Sequence, residues 1–403
     1  MKNIPQIRFP EFSGEWEEKR LGEVGEIVTG TTPSTKIKSY YEKGIYPWIT
    51  PTDINENKDI FESERKLTEE GLKKGRFVPK NSLLVTCIAS IGKNAILRAD
   101  GSCNQQINAI IPNDKNNVDF LYYVLETQRI KNKMLKLAGQ TATPILNKQE
   151  FSKIKIHIPP TLAEQQKIAS FLSAVDEKIE LSAKKIEKLK EYKKGLLQKL
   201  LNVKNGVPKL RFPEFSGEWI ERRLGEVCEF FNGKSYESCI VENGQYYLIT
   251  LNSITLEGKL SQEHKKVNVA DNFLQKNDLV IIMSDVAKGD FLGKVSIIPE
   301  NNKYILNQRV GGIRINKDYH YLFINYYINN NQKYFKKIGQ GSSQKNISTN
   351  DIKNFIIHIP PTLEEQQKIA SFLSSIDEKI ELNEQILDKL KEYKRGLLQR
   401  MFV

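Results

Sequence analysis

The stretch IHIPPTLAEQQKIASFLSAVDEKIELSAKKIEKLKEYKKGLLQKL, residues 156–200, returns as IHIPPTLEEQQKIASFLSSIDEKIELNEQILDKLKEYKRGLLQRM at residues 357–401, with 33 of 45 positions identical and no gap. Such self-similarity at long period sets the organisation of a chain before any local reading begins. Each copy reads as one long helix. The pairs Pro159-Pro160 and Pro360-Pro361 cannot lie in a helix interior, so each helix starts just after them. Thr161 with Glu164, and Thr362 with Glu365, have the spacing of a capping box.

Apolar residues then recur at steps of four and three: Ile168, Leu172, Val175, Ile179, Ile186, Leu189, Leu196 and Leu200. The second copy carries Ile369, Leu373, Ile376, Ile380, Leu387, Leu390 and Leu397 in the same places. A 3.5-residue period is a coiled-coil seam. Two seam positions are polar in both copies, Ser182 and Lys193 in the first and Asn383 and Lys394 in the second. Polar seam residues fix register or partner choice at a cost in stability. A helix with one apolar stripe needs a partner, and the other copy is the simplest one, parallel or antiparallel. The pair would be either a plain structural coiled coil or a spacer that holds two modules and docks a partner protein.

A second repeat alternates with the first. PQIRFPEFSGEWEEKRLGEV at residues 5–24 returns as PKLRFPEFSGEWIERRLGEV at residues 208–227, with 16 of 20 positions identical. The order is short arm, variable module, long helix, twice over. This divides the chain into an arm (1–24), a first module (25–155), a central helix (156–201), a linker with the repeated arm (202–227), a second module (228–356) and a C-terminal helix (357–403). Such a chain can fold with pseudo-twofold symmetry, each arm meeting the end of the other copy's helix.

The modules have little sequence in common. Short β-type runs lie at 46–50, 82–89, 95–98 and 106–111 in the first and at 246–251, 278–283, 294–298 and 310–315 in the second. Helical stretches follow near 119–138 and 319–337. Asn104-Gln105-Gln106 aligns with Asn307-Gln308-Arg309, and Ile91-Gly92-Lys93 with Leu292-Gly293-Lys294. Each module is therefore expected to be a mixed α/β domain.

The chain of 403 residues carries a formal charge of +12. Most of it lies in the modules, with 20 basic against 14 acidic residues at 25–155 and 16 against 12 at 228–356. That placement suits a nucleic-acid footprint. The four cysteines, Cys87, Cys103, Cys228 and Cys239, form no CxxC pair, which argues against zinc or a disulfide framework and suits a reducing cytoplasm. The first residues lack a signal-peptide core, and no apolar run is long enough to span a membrane.

These features together resemble the DNA-specificity (S) subunit of type I restriction–modification systems. The resemblance rests on the IPP-T-L-x-EQQKIA-x-FL segments at 158–172 and 359–373, the arms at 16–23 and 219–226, and Thr31-Thr32-Pro33. It covers essentially the whole chain. The second module departs from it with Gly233-Lys234-Ser235 in place of Gly30-Thr31-Thr32-Pro33.

The resemblance implies an α+β protein with two target recognition domains and two long helices forming an antiparallel coiled coil. Each recognition domain would read one half of a split site in double-stranded DNA. The helices would set the spacing and dock two modification (M) subunits, to which two restriction (R) subunits can be added. The chain itself would have no active site. S-adenosylmethionine would belong to the modification subunits, and ATP and Mg to the restriction subunits. No adenine-methyltransferase Asn-Pro-Pro-Tyr motif is present. Gly233-Lys234-Ser235 lacks the glycine that a phosphate loop needs at position 228, and Gly339-Gln340-Gly341 lacks the third glycine of a dinucleotide fingerprint.

Amides read adenine and guanidiniums or ammoniums read guanine, while other cations contact phosphate. The candidates in the first module are Thr31, Thr32, Ser90, Lys93, Asn104, Gln105 and Gln106. In the second they are Lys234, Ser235, Lys288, Asn307, Gln308 and Arg309, with Ser342, Ser343 and Gln344. Trp48, Tyr40 and Tyr41 could stack on a base, although Trp48 suits a core better. Trp16 and Trp219 read as anchors between arm and module. Two other readings stay open. A cryptic nuclease or methyltransferase would use Asp278, Asp285 and Lys288, and a coiled-coil adaptor would have no DNA role.

Overall fold

The computed structural model describes residues 3–55, 57–139, 141–269, 271, 273–286, 289–341 and 344–403. The candidates Lys288, Ser342 and Ser343 lie outside the described residues. The chain divides into two compact units, residues 1–184 with 384–403, and residues 185–383. The unit boundaries fall inside the long helices, Leu162–Leu201 and Leu363–Arg400, so each unit takes one end of each.

In the first unit a five-stranded sheet runs in the order Gly25–Thr29, Ile107–Pro112, Ser82–Thr86, Asn94–Leu97 and Asp59–Ile60. A three-stranded sheet places Tyr46–Ile49 between Lys66–Leu67 and Ser102–Cys103. The second unit repeats the central strands of both, with four strands in each sheet. Cys228–Asn232, Val310–Ile315, Leu279–Ile282 and Val295–Ile297 form the first sheet. Tyr246–Ile249 lies between Lys265–Val267 and Tyr304–Leu306 in the other. The central strand pairs in parallel on one side and antiparallel on the other in both units. The modules are thus one fold built twice.

The expected single helix of each module is two. Val118–Glu126 stops at Thr127, and Gln128–Ala138 follows. The Thr127 hydroxyl donates back to the Val124 carbonyl at 2.6 Å, and the residue is extended, which interrupts the ladder. Tyr321–Asn330 and Gln332–Ile338 break at Asn331, whose Nδ2 donates back to Tyr327 O at 2.8 Å.

Each arm meets the end of the other copy's helix as expected, Ile7 N bonding Arg400 O and Leu210 N bonding Lys199 O at 2.9 Å each. It also grips the start of its own copy's helix through the glutamate of the supposed capping box. Thr161 and Thr362 accept the backbone N–H of Glu164 and Glu365, at 3.4 and 3.3 Å. The glutamate side chains do not return to the cap. Glu164 takes two bonds from the Arg8 guanidinium at 2.8 Å each and one from Trp16 Nε1 at 3.2 Å. Glu365 does the same with Arg211, at 2.8 and 2.7 Å, and with Trp219 at 3.2 Å. The next residue of the motif, Gln165 or Gln366, is buried and accepts the N–H of Asn117 or His320, where a module helix begins. Each arm also adds a strand to the one before the long helix, Glu17–Arg20 to Lys155–Ile158 and Ile220–Arg223 to Ile356–Ile359.

The seam is most buried towards its module ends. Ile168, Leu172, Val175, Ile186, Leu196, Ile369, Leu373, Ile376, Ile380 and Leu397 are buried, whereas Ile179, Leu189, Leu387 and Leu390 are half-buried. Lys394 meets Asp176 at 2.6 Å in the first unit, and Lys193 meets Asp377 at 2.5 Å in the second. As one helix advances from 176 to 193, its partner falls from 394 to 377, so the coiled coil is antiparallel. The polar residue Asn383 is buried and donates to its own helix at Lys379 O.

Candidate nucleic-acid interface

Superimposing the two strand registers gives a residue-by-residue correspondence that the sequence hides. Pro47 opposes Lys66, and Tyr247 opposes Lys266. Asn104 N bonds Ile49 O as Asn307 N bonds Ile249 O. The loops that follow the central strands, ITPTDI at 49–54 and ITLNSI at 249–254, therefore coincide. In each, a side chain three residues on caps the threonine, Asp53 to Thr50 N at 2.8 Å and Ser253 to Thr250 N at 2.9 Å.

Each of these loops forms one wall of a groove. In the first unit a cavity of about 530 Å³ lies between residues 50–53 and residues 88–90, with Trp48, Asn104 and Gln106 on its floor and Glu64 and Arg65 at its rim. In the second a cavity of about 490 Å³ lies between residues 251–257 and residues 284–286. The linings differ. The first offers Thr50, Thr52, Arg65, Ser90 and Gln106, and the second offers Asn252, Thr255, Leu256, Glu257 and Val286. The loop residues 50–53 and 251–257 escaped the sequence reading. The matching IT…I frames were the available signal, but they are too short to stand out without the strand register.

The predicted residues divide into engaged and available side chains. Asn104 is buried, its Oδ1 accepting Gln106 N at 3.0 Å and its Nδ2 donating to Gln106 Oε1 at 2.9 Å. Asn307 is buried and accepts Tyr236 N at 3.1 Å. The Asn104 amide shapes the turn at the floor of the first groove, whereas the Asn307 amide ties its segment to the backbone at Tyr236. Thr31 is half-buried, and exposed Thr32 donates to Gln105 Oε1 at 2.5 Å. Gly30 and Gly233 sit so close to the Asn104 and Asn307 carbonyls that a Cβ would collide, which explains why glycine precedes the divergent triplet in both modules. Ser90 and Gln106 line the first groove, and Lys93 is exposed near it in sequence. Lys234 is exposed and paired with Asp271 at 2.6 Å, a bond that raises its pKa above the ordinary lysine value. Ser235 and Arg309 are exposed and Gln308 is half-buried. Arg309 sits at φ 68°, a left-handed conformation unusual for arginine. Gln344 belongs to Gln344–Asn346, the strand that pairs with Ser284–Val286 at the second groove.

The aromatics resolve cleanly. Trp48 is buried and donates from Nε1 to Thr31 O at 3.1 Å, Tyr40 is buried, and Tyr41 packs edge-on to Trp48. Trp16 packs against Phe120 and Trp219 against Phe323.

The carboxylates of the enzyme reading are engaged. Asp278 is paired bidentately with Arg314, at 2.9 and 2.7 Å. Asp285 accepts Val286 N and Phe291 N at 2.7 and 2.8 Å, closing its own turn. The thiols of Cys87, Cys103 and Cys228 are buried, and burial pushes each up to about 12. Among the described residues no helix is long and apolar enough to cross a membrane.

Exposed apolar residues also repeat along the helices. Leu181 and Tyr393 are exposed in the first unit, and their repeat equivalents Leu382 and Tyr192 are exposed in the second.

Comparison with known proteins agrees with this architecture. The family model for the type I restriction modification DNA specificity domain matches residues 13–191 and again residues 216–392. The MjaIX specificity subunit of Methanocaldococcus jannaschii is 27% identical over 96% of this chain and 92% of its own length. The HindI specificity subunit of Haemophilus influenzae is 33% identical over 46% of this chain and 41% of its own. In fold, the crystal structure of the S subunit from M. genitalium matches with a TM-score of 0.62 over 99% of both chains at 17% identity. With two family domains covering most of its length, the chain belongs to the type I restriction–modification DNA-specificity family and is a DNA-recognition subunit.

Proposed function

We propose that each groove reads one half of a bipartite duplex site, and that the long helices hold the two readers and dock two modification subunits. The observation that carries this is the groove itself, built twice on one fold with different linings. One shared fold suits one geometry of approach, and different linings suit different bases. Methyl transfer, with S-adenosylmethionine, lies in the modification subunits. ATP-dependent and Mg-dependent steps lie in restriction subunits where these join. This chain contributes recognition and no chemistry, acting in the cytoplasm. The exposed repeats Leu181, Leu382, Tyr192 and Tyr393 are the docking residues proposed on the helices.

The test is to express the chain with a cognate modification subunit in a methylation-free host and to map N6-methyladenine. A split motif of two short halves around a fixed gap is the expected result. Assembly without any motif would remove the recognition reading and leave an adaptor.

Positions that keep their chemistry in both modules should serve the backbone, and positions that differ should serve the bases. Arg65, which lines the first groove, and Lys265 of the second module occupy the same register and are both exposed. Among the described residues neither head group has a hydrogen bond or ion pair. Replacing either by alanine is expected to weaken cognate and non-cognate duplexes alike. The slope of log affinity against log salt should fall by about 1, with the motif unchanged. A changed motif would make the residue a base reader instead.

A further inference from the structure

The loop that walls each groove does not end in solvent. It ends on a long helix, through a lysine, in both units. In the first unit the loop leaves the groove at Asp53, passes buried Ile54 and reaches Lys58. The Lys58 ammonium donates to Ser173 Oγ on the first long helix at 2.9 Å and to Asp119 Oδ1 at 2.6 Å. Burial alone would raise the Asp119 carboxyl, but Lys58 and Arg98 together outweigh it and hold it below the ordinary range. Arg98 in turn binds Asp59, the first residue of the strand that follows Lys58, at 2.5 Å.

In the second unit the loop lines the groove through Glu257 and reaches Lys259 two residues later. Lys259 donates to Glu381 Oε1 on the second long helix at 2.5 Å. Glu257 is held below the ordinary carboxylate range first by the Thr255 hydroxyl, with a smaller contribution from Lys190 on the first long helix. The surrounding residues differ between units, yet in each a lysine that follows the groove wall in the chain grips a long helix.

We propose that Lys58 and Lys259 are positioning residues for base reading. Each fixes the groove's loop wall to a long helix, so that the polar atoms of the loop meet base edges at a set distance. The proposal rests on the reading of the grooves as half-site readers. It adds that discrimination at each half depends on a contact outside the groove. The mechanism is geometric, because a hydrogen bond to a base edge weakens steeply once distance and angle drift. A loop free to shift keeps its phosphate contacts and loses its selectivity.

Lys259 gives the cleaner test, since its ion pair with Glu381 is half-exposed and contributes little to global stability. The assembled methyltransferase complex would be assayed on cognate duplexes and on duplexes carrying one mismatch in either half. Lys259→Met should reduce discrimination against mismatches in the half read by the second module by about tenfold. Discrimination in the other half, non-specific affinity and the thermal midpoint should not change. The exchange Lys259→Glu with Glu381→Lys restores the contact with reversed sign and should bring discrimination back to within about twofold. Unchanged discrimination in Lys259→Met overturns the proposal, as does an equal loss in both halves or a failure of the exchange to rescue. If the unsubstituted complex shows no split motif, the half-site reading itself is at fault, a result distinct from any of these.

Discussion

Replacing Glu365 by alanine is expected to lower stability by about 3–5 kcal/mol, and Glu164→Ala by a similar amount. Each glutamate is 1% exposed and takes a two-point bond from an arginine that is itself nearly buried, with side-chain exposures of 11% for Arg8 and 14% for Arg211. Truncating the acid leaves a guanidinium charge without its counter-charge and an indole N–H without its acceptor. The lower end of the range is favoured because each arginine keeps two further bonds to backbone carbonyls, Ser13 and Gly14 for Arg8 and Ser216 and Gly217 for Arg211. The glutamates also sit in the first helical turn, where a negative charge meets the positive end of the helix dipole. Urea unfolding of the full chain would measure the loss, with Glu364→Ala as the control. Glu364 is exposed and one position away, so its substitution should stay within about 0.5 kcal/mol. Equal effects of Glu364→Ala and Glu365→Ala would mean that the arm does not hold the helix start.

This pair shows how far the sequence could be read. The spacing of Thr161 and Glu164 was visible, and so was the helix that starts there. The destination of the glutamate was not, because its partner lies 156 residues earlier in the chain. The long helices were legible because an apolar period of 3.5 sustained along a whole segment suits a coiled-coil helix and neither a strand nor a loop. The modules were half legible. Strands such as Ser82–Thr86 and Val310–Ile315 announce themselves by their apolar runs, but two-residue strands such as Lys66–Leu67 carry no pattern of their own. Those short strands set the register that makes Arg65 equivalent to Lys265. The grooves needed that register, so the loops 50–53 and 251–257 could not be found from composition. Asn104 and Asn307 were legible as a shared feature of the modules, yet a buried amide already bonded inside the fold and an exposed amide awaiting a base look alike in one dimension.

The polar seam positions lead to the second large effect. Asp377 accepts from Lys193 of the opposite helix at 2.5 Å and from the Tyr326 hydroxyl of the module at 2.6 Å, while the Lys193 ammonium lies 5.2 Å from the Tyr326 ring. Asp176 repeats this with Lys394 at 2.6 Å and Tyr123 at 2.7 Å. One carboxylate therefore ties together two helices and a module, in each unit. Asp377→Ala should cost about 2–3 kcal/mol, because it strands a mostly buried ammonium and a buried phenol at once. The double substitution Lys193→Leu with Asp377→Ala should be less harmful than Asp377→Ala alone, since leucine suits a seam position and removes the stranded charge. The difference, measured as a coupling in urea unfolding, should reach about 1–2 kcal/mol. Additive effects would show that the two side chains do not act together.

The phenol adds a pH signature. Burial, with Asp377 beside it, holds Tyr326 well above the ordinary tyrosine range. The folded state thus keeps the proton at a pH where the unfolded chain has lost it. Stability is complete below the unfolded value near about 10 and falls as pH rises beyond it, by about 1.4 kcal/mol per unit for this one group. Tyr326→Phe should remove that share of the alkaline slope while losing the bond to Asp377 at neutral pH. An alkaline slope unchanged in Tyr326→Phe would mean that the phenol is not held neutral by the fold, and that the three-way tie is looser than its distances indicate.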